Sequence, residues 1–199
     1  MIPVHIEEKL RMFREETYEI LKDKEQTELK EKNQDGKVNL ICTAQGELLI
    51  FSSPEKHVMS YLDGQKKGAA VCADKFLFKL DKESGAWDLH IMEFKKTIDT
   101  SVISKSQWQF TMGIYNARAI AGFLGIEMRD VYLYSGFRND KLTANQTLIA
   151  LRASNNRDAV KKLQQWKDNE YELWVDGVNR AFPHQKIQLD NEGNGSISI

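Results

Sequence analysis

The stretch that most constrains the fold runs from Cys72 to Lys96, where two alternating segments flank a short turn. Alternation of apolar and polar residues predicts two β-strands, and residues 82–85 fit a four-residue hairpin connection. Antiparallel pairing about that turn predicts three apolar pairs: Leu80 with Trp87, Phe78 with Leu89, and Phe76 with Ile91. These six side chains share one face of the hairpin, because side chains alternate along a strand.

Two acids follow the apolar pairs on the same face. The register places Asp74 opposite Glu93, and Lys95 lies two residues further along the second strand. Like charges that face each other directly are destabilising unless a cation lies between them. A divalent metal held by Asp74 and Glu93, beside the Lys95 ammonium, accounts for the arrangement. The alternative is a structural ion network in which Lys95 neutralises one of the acids.

Length, charge and the motifs that are missing limit the number of domains and the classes of function that this chain can have. A chain of 199 residues that is 41% hydrophobic can bury a substantial core as one domain. The net charge of −1 shows no excess of positive charge, so any contact with nucleic acid must use a local patch. No motif of dinucleotide enzymes, P-loop enzymes, zincins or α/β-hydrolases is found in the sequence.

The cellular compartment is constrained by three features of the sequence. No run approaches the roughly 18 apolar residues of a membrane span. The start of the chain, MIPVHIEEKLRMF, lacks the cationic flank and apolar stretch of a signal peptide. Cys42 and Cys72 are not spaced as a zinc or iron–sulfur motif, and two unpaired thiols suit a reducing cytoplasm. A cytoplasmic location is therefore expected, with no membrane partner.

The predicted elements belong to an α/β chain with a central mixed β-sheet flanked by helices. In order they are a helix over 5–31, strands over 37–43 and 47–51 joined at Gln45-Gly46, a short helix over 52–63, the central hairpin, a helix over 104–124, a strand over 131–137, a strand over 147–151, a helix over 156–166, and short strands over 172–189 with turns at Asp176-Gly177 and Pro183. One domain is expected, with a core at about 5–138 and a small β-rich C-terminal extension at about 139–190. The Gly/Asn/Ser-rich tail, 191–199, is expected to fray.

The order of these elements, with Asp74 on one strand and the triplet Glu93, Phe94 and Lys95 on the next, resembles the PD-(D/E)XK nuclease superfamily. The resemblance covers about residues 5–138, and Ala73 stands where the family name places Pro. It implies a restriction-endonuclease-like fold and a Mg²⁺- or Mn²⁺-dependent nuclease that hydrolyses phosphodiester bonds. DNA is the favoured substrate and RNA the other choice. A lone domain of this size often dimerises to cut both strands, so a homodimer is one expectation.

The resemblance also implies roles for particular residues. Asp74 and Glu93 would hold the metal, and the backbone carbonyl of Phe94 would complete the coordination. Carboxylates suit Mg²⁺ and Mn²⁺, which prefer oxygen ligands. Lys95, next to the metal, would orient the attacking water or stabilise the developing negative charge. Gln109, interpreted as opening the helix after this strand, would face the site, although a Gln near a helix start is usually solvated.

Glu16 is the last candidate, because some relatives use a Glu from the first helix to hold a water on the metal. Its many acidic neighbours in that predicted helix make it hard to single out. Aromatic residues near the 104–124 helix, including Trp108 and Phe123, are interpreted as core or as a partner surface rather than as a platform for stacked bases. Two alternatives to a nuclease stay open: a degenerate relative that binds nucleic acid or protein without cutting, and an unrelated α/β interaction protein.

Overall fold

The computed structural model of the chain describes residues 2–31, 37–52, 71–142 and 157–199. Three helices are described: α1 (Val4–Leu10), α2 (Thr100–Leu124) and α3 (Arg157–Asp168), with a 3₁₀ turn at Glu15–Thr17. The ten described strands are β1 (Tyr18–Leu21), β2 (Gln26–Glu31), β3 (Val38–Thr43), β4 (Glu47–Ser52), β5 (Lys75–Leu80), β6 (Trp87–Ile98), β7 (Met128–Asp140), β8 (Glu170–Val175), β9 (Val178–Gln188) and β10 (Asn194–Ser198).

Seven strands form one mixed sheet in the order β1-β4-β5-β6-β7-β9-β8. Strands β4, β5 and β6 are antiparallel neighbours, whereas β6, β7 and β9 run parallel. Helix α2 connects β6 to β7, as a parallel pair requires. The α/β class with a mixed central sheet flanked by helices is therefore confirmed.

The central hairpin forms as the sequence predicts. The register pairs Leu80 with Trp87, Phe78 with Leu89, and Phe76 with Ile91. Residues 87–94 of β6 are all buried, because a central strand is covered on both faces. Helix α2 follows at once, and the Asp99 carboxylate caps it by accepting hydrogen bonds from the backbone N–H groups of Ser101 and Val102 at 2.9 Å.

Two hydrophobic cores lie on the two faces of the large sheet. The first packs the apolar hairpin face, with Phe76, Phe78 and Ile91, against α2 and its neighbours. The second lies between the large sheet and a smaller sheet of order β10-β3-β2, and it contains Leu77, Met92 and Phe94. The candidate site described below is at the N-terminal end of β5, on the face of the sheet that α2 covers.

The predicted long helix over 5–31 is wrong. Within this segment only α1 and the 3₁₀ turn are helical. The segment also forms β1, which pairs with β4, and β2, which pairs with β3. The many Glu and Lys residues favour a helix locally, but their propensity is worth only a few tenths of a kcal/mol each. Strand pairing and the burial of Leu21 and Leu29 in the second core override it.

The predicted hairpin of strands 37–43 and 47–51 is also wrong in its pairing. Both strands exist, but β3 belongs to the small sheet and β4 to the large one. The alternating pattern identifies strands without choosing their partners. The short link at Ala44–Gly46 carries the chain from one sheet to the other, with Gly46 at φ +125°.

The C-terminal residues are ordered rather than frayed. Strand β10 pairs in parallel with β3, and Ile197 and Ile199 are buried. Gly193 has φ +91° and lies so close to the Lys37 carbonyl that a side chain would collide with it. The small residues therefore permit close packing here, a role that their composition did not distinguish from flexibility.

Pro183 is not a turn residue but lies inside β9. It is the last residue to pair with β8, and from His184 onward β9 pairs with β7 instead. Proline has no N–H to donate to a sheet ladder, so it is tolerated at a position such as this one, where the strand changes its partner.

The predicted turn at Asp176-Gly177 and the helices at 104–124 and 156–166 are confirmed, with α2 starting four residues earlier than predicted.

Two predicted elements, the helix over 52–63 and the strand over 147–151, fall mostly or wholly outside the described residues. In the part of the chain that is described, no helix is both long and apolar enough to cross a membrane.

Candidate active site

The candidate site forms at the N-terminal end of β5, where β6 continues beyond its pairing with β5 and stays paired only with β7. The last registered pair between these strands is Lys75 with Met92, and β6 runs on to Ile98. Asp74 lies at a bend directly before β5, and its backbone N–H donates to the Met92 carbonyl at 3.0 Å. Asp74 therefore lies beside Glu93, the register position that the sequence predicts.

The Asp74 carboxylate is held in place by the main chain of the neighbouring strand β6. Its Oδ2 accepts a 2.7 Å hydrogen bond from the backbone N–H of Phe94. Burial raises the pKa of Asp74 to about 6, although the Phe94 hydrogen bond and the Lys95 charge act in the opposite direction. Glu31, at the end of β2, raises this pKa further by its charge.

Glu93 is the most deeply buried acid of the site, with 1% of its surface exposed. Burial first, and the nearby Asp74 charge second, raise the pKa of Glu93 to about 8, while Lys95 and Gln109 oppose the shift. Its Oε1 accepts a hydrogen bond from Lys95 Nζ. Its Oε2 is buried and has no hydrogen-bond donor among the described residues.

Lys95 and Gln109 complete the polar cluster. Lys95 lies on the same side of β6 as Glu93 and is paired with it. Gln109 does not open the helix as predicted, because α2 begins at Thr100 and Gln109 is its tenth residue. Its side chain is nevertheless buried against the site, and its Nε2 lies 3.4 Å from the Cys72 carbonyl. Within the described ranges, Gln109 Oε1 is a second buried acceptor without a donor.

Phe94 contributes its main chain to this site. Its side chain points into the second core, opposite to Glu93. Its N–H reaches Asp74, and the N–H and C=O of one strand residue point to the same edge of the strand. The Phe94 carbonyl therefore points to the edge of β6 that β5 leaves open.

Glu16 is not part of this cluster. It is an exposed residue of the 3₁₀ turn, not of a first helix, and it lines a separate pocket of about 110 Å³ that also contains Ser52 and Lys75. Lys75 alternates with Asp74 and so lies on the opposite face of the strand. The prediction that Glu16 stands on the first helix is wrong because that helix ends at Leu10.

The sequence missed two neighbours of the cluster. Glu31 acts on Asp74 by its charge, but its segment was assigned to a helix and so could not be placed near the site. Ser135 lies opposite Glu93 in the parallel register of β7. A polar residue inside the apolar run of β7 was the signal available for Ser135, yet its partner depends on the parallel crossover.

The oxygen atoms of this site suit a hard divalent cation that takes only a few of its ligands from the protein. Among the described residues, no group of three or more His, Cys, Asp and Glu side chains is close enough to hold a metal. Two carboxylates and one carbonyl remain, which suits Mg²⁺ because Mg²⁺ usually keeps several waters and takes one or two carboxylates. The buried Glu93 oxygen without a donor is the atom that such a cation would satisfy.

Comparisons with known proteins add no relative. No protein-family model, no curated protein and no solved structure matches this chain.

Proposed function

We propose that the protein is a Mg²⁺- or Mn²⁺-dependent nuclease of the PD-(D/E)XK type that hydrolyses phosphodiester bonds, with DNA favoured over RNA. One observation carries the proposal: Asp74 and Glu93 lie side by side at the N-terminal end of β5, and a buried Glu93 oxygen lacks a hydrogen-bond donor among the described residues. Two neighbouring acids with raised pKa values, of which Glu93 is fully buried, are typical of functional sites when a lysine lies beside them.

The arrangement of elements supports the same proposal. Strands β4, β5 and β6 are consecutive antiparallel neighbours, and α2 then leads to β7, parallel to β6. This matches the later part of the order on which the sequence resemblance rests, with Asp74 before β5 and the triplet on β6, whereas the first helix is much shorter than predicted. Fold-level resemblance alone does not establish chemistry, so the proposal depends on the site.

The protein residues would divide the work as follows. Asp74, Glu93 and the Phe94 carbonyl would hold the metal, which when bound lowers the pKa of water and polarises a phosphoryl oxygen. Lys95 would orient the attacking water or stabilise the charge that develops on the phosphate. Gln109, buried beside Glu93, would fix the orientation of that carboxylate through its amide.

Metal titration by calorimetry, combined with a cleavage assay, tests the proposal. The wild type should bind Mn²⁺ and cut a single- or double-stranded oligonucleotide in its presence, whereas Asp74→Asn should do neither. Glu83→Gln is the matched control, because Glu83 is an exposed acid in the turn at the other end of the same hairpin. Wild-type protein that binds no metal and cuts neither DNA nor RNA would rule the nuclease out.

A further inference from the structure

A groove of about 450 Å³ lies between α2, α3 and β8, apart from the acid cluster. Trp108 of α2 and Trp174 of β8 line it, and they are 46% and 65% exposed. The other two tryptophans, Trp87 and Trp166, are buried. Large apolar side chains that line an open groove of this size mark a binding site more often than chance exposure does.

Apart from Leu173, the remaining lining of the groove is polar, and the charges of its ion-paired residues cancel. Lys161 Nζ lies 2.5 Å from Glu172, and Lys162 pairs with Asp158. Three amide side chains, Gln107, Gln165 and Asn179, also line the groove. Gln165 Oε1 is buried without a hydrogen-bond partner among the described residues.

This lining favours a flat heteroaromatic ligand over an apolar protein segment. An apolar helix packed here would leave the amides and ion pairs dehydrated without new partners, which is unfavourable. A nucleobase presents a ring face that stacks on indole and an edge of donors and acceptors that amides can read. Unpaired bases are required, because a duplex keeps its ring faces stacked inside.

The groove is close to the acid cluster along α2. Trp108 directly precedes Gln109, whose side chain lies against Glu93. The amide of Gln107 donates to the Glu172 carbonyl at 3.2 Å, which fastens this turn of α2 to β8. Strand β8 is three places from β6 in the sheet, which is about 15 Å at the usual spacing. A short single-stranded segment of nucleic acid spans that distance.

We propose that this groove binds unpaired nucleobases on Trp108 and Trp174, which reverses the interpretation of Trp108 from the sequence alone, and that the preferred ligand therefore contains a single-stranded segment. The inference deepens the proposed nuclease function and rests on it for the identity of the ligand. Binding can nevertheless be measured without cleavage, so the two proposals can fail separately.

The test measures binding of a fluorescein-labelled single-stranded deoxyoligonucleotide in EDTA, with a blunt duplex of the same sequence as comparison. Trp174→Ala should weaken single-strand binding at least about fivefold, because stacking on one ring contributes that much or more. Trp174→Phe keeps a ring and should retain most of the affinity. Phe123→Ala is the matched control, because Phe123 is as exposed to solvent as Trp108 is and lies near the far end of the same helix.

Each outcome decides the proposal. Loss with Trp174→Ala and Trp108→Ala, retention with Trp174→Phe and Phe123→Ala, and weaker duplex binding would support it. Unchanged binding in both tryptophan variants, equal binding of the duplex, or no binding by the wild type would overturn it, and a protein-binding surface would replace it. Binding is measured in EDTA, where no metal-dependent cleavage occurs, so a failure of cleavage alone leaves the groove proposal standing.

Discussion

The backbone N–H of Phe94 donates a 2.7 Å hydrogen bond to the carboxylate of Asp74. This bond continues the ladder between β5 and β6 by one step, with a side chain in place of a strand carbonyl. The position of the Asp74 carboxylate is therefore fixed by the same triplet that carries Glu93 and Lys95. A substitution that keeps an oxygen acceptor should change the charge of the site without loosening the hairpin.

Asp74→Asn separates a metal site from a structural ion network. Asn retains the acceptor for Phe94 while removing a half-buried charge that acts on Glu93. In EDTA at pH 8, we expect the free energy of unfolding to stay equal or to rise by about 1 kcal/mol. Cleavage in Mg²⁺ should fall about a hundredfold or more. Urea unfolding and a cleavage time course measure the two effects.

The contrary result for Asp74→Asn is equally clear. If the acids and Lys95 form a structural network, removal of one buried charged partner should destabilise the protein by about 3–5 kcal/mol. A loss of that size in EDTA, with no metal-dependent activity in the wild type, would favour the interaction-protein alternative.

The stability of the metal-free protein should depend on pH through Glu93. Its pKa is raised from 4.5 to about 8, so the folded protein keeps a proton that the unfolded chain releases. The free energy of unfolding therefore falls as pH rises between these values, by about 1.4 kcal/mol per pH unit. Between pH 6.5 and pH 8 this predicts a loss of about 2 kcal/mol in EDTA.

Glu93→Gln isolates this contribution. Gln cannot ionise, so the difference in unfolding free energy between wild type and variant should grow with pH in favour of the variant. Other groups that titrate in the same window affect both proteins and largely cancel. A difference that stays constant from pH 6.5 to pH 8 would show that Glu93 is ionised throughout.

Lys95→Arg tests whether the ammonium acts at one point or only pairs with Glu93. Arg keeps the charge, so folding and Mn²⁺ affinity should be retained. Its planar guanidinium cannot reproduce the placement of a compact ammonium, so turnover on an oligonucleotide should fall at least about tenfold. Lys96→Arg is the matched control, because Lys96 is the exposed next residue of β6. Equal turnover in both variants would make Lys95 a spectator.

Gly136→Ala should disturb the site through the opposite face of the sheet. Gly136 is registered with Phe94, and an added Cβ would lie 2.7 Å from the Phe94 ring. Overpacking of this kind destabilises by about 1–3 kcal/mol and should shift the main chain between Glu93 and Lys95. We expect lower turnover with a modest loss of stability.

Gly122→Ala provides the comparison for that variant. Gly122 lies in the last turn of α2 with open space around it, so Ala should stabilise the helix, by less than about 1 kcal/mol, and leave turnover unchanged. If both variants behave alike in melts and cleavage, the Phe94 contact has no influence on the site.

The central hairpin could be predicted because its information is local. Alternation, the turn and the apolar pairs lie within 25 residues, and the acids and Lys95 follow from the same register. Helix α2 could likewise be predicted from the spacing of Phe110, Ile114 and Ala117, all of which are buried. In both cases one periodic pattern agrees with burial on one face.

The strands within residues 15–31 could not be predicted because their structure depends on distant partners. Glu and Lys residues between 15 and 31 favour a helix, yet β1 and β2 are strands that pair with β4 and β3. The neighbours of the acids show the same limit. Glu31, in the small sheet, acts on Asp74 by its charge, and Ser135 lies opposite Glu93 on a parallel strand.

The pairing of β10 with β3 has a consequence for how the chain folds. It joins Asn39 to Asn194, whereas the hairpin that carries both acids closes a loop of about 20 residues. Closing a longer loop loses more chain entropy before any contact forms, and such non-local pairings slow folding. We expect the acid cluster to assemble early and the small sheet to close late, so that amide hydrogen exchange protects Met92 before Ile197.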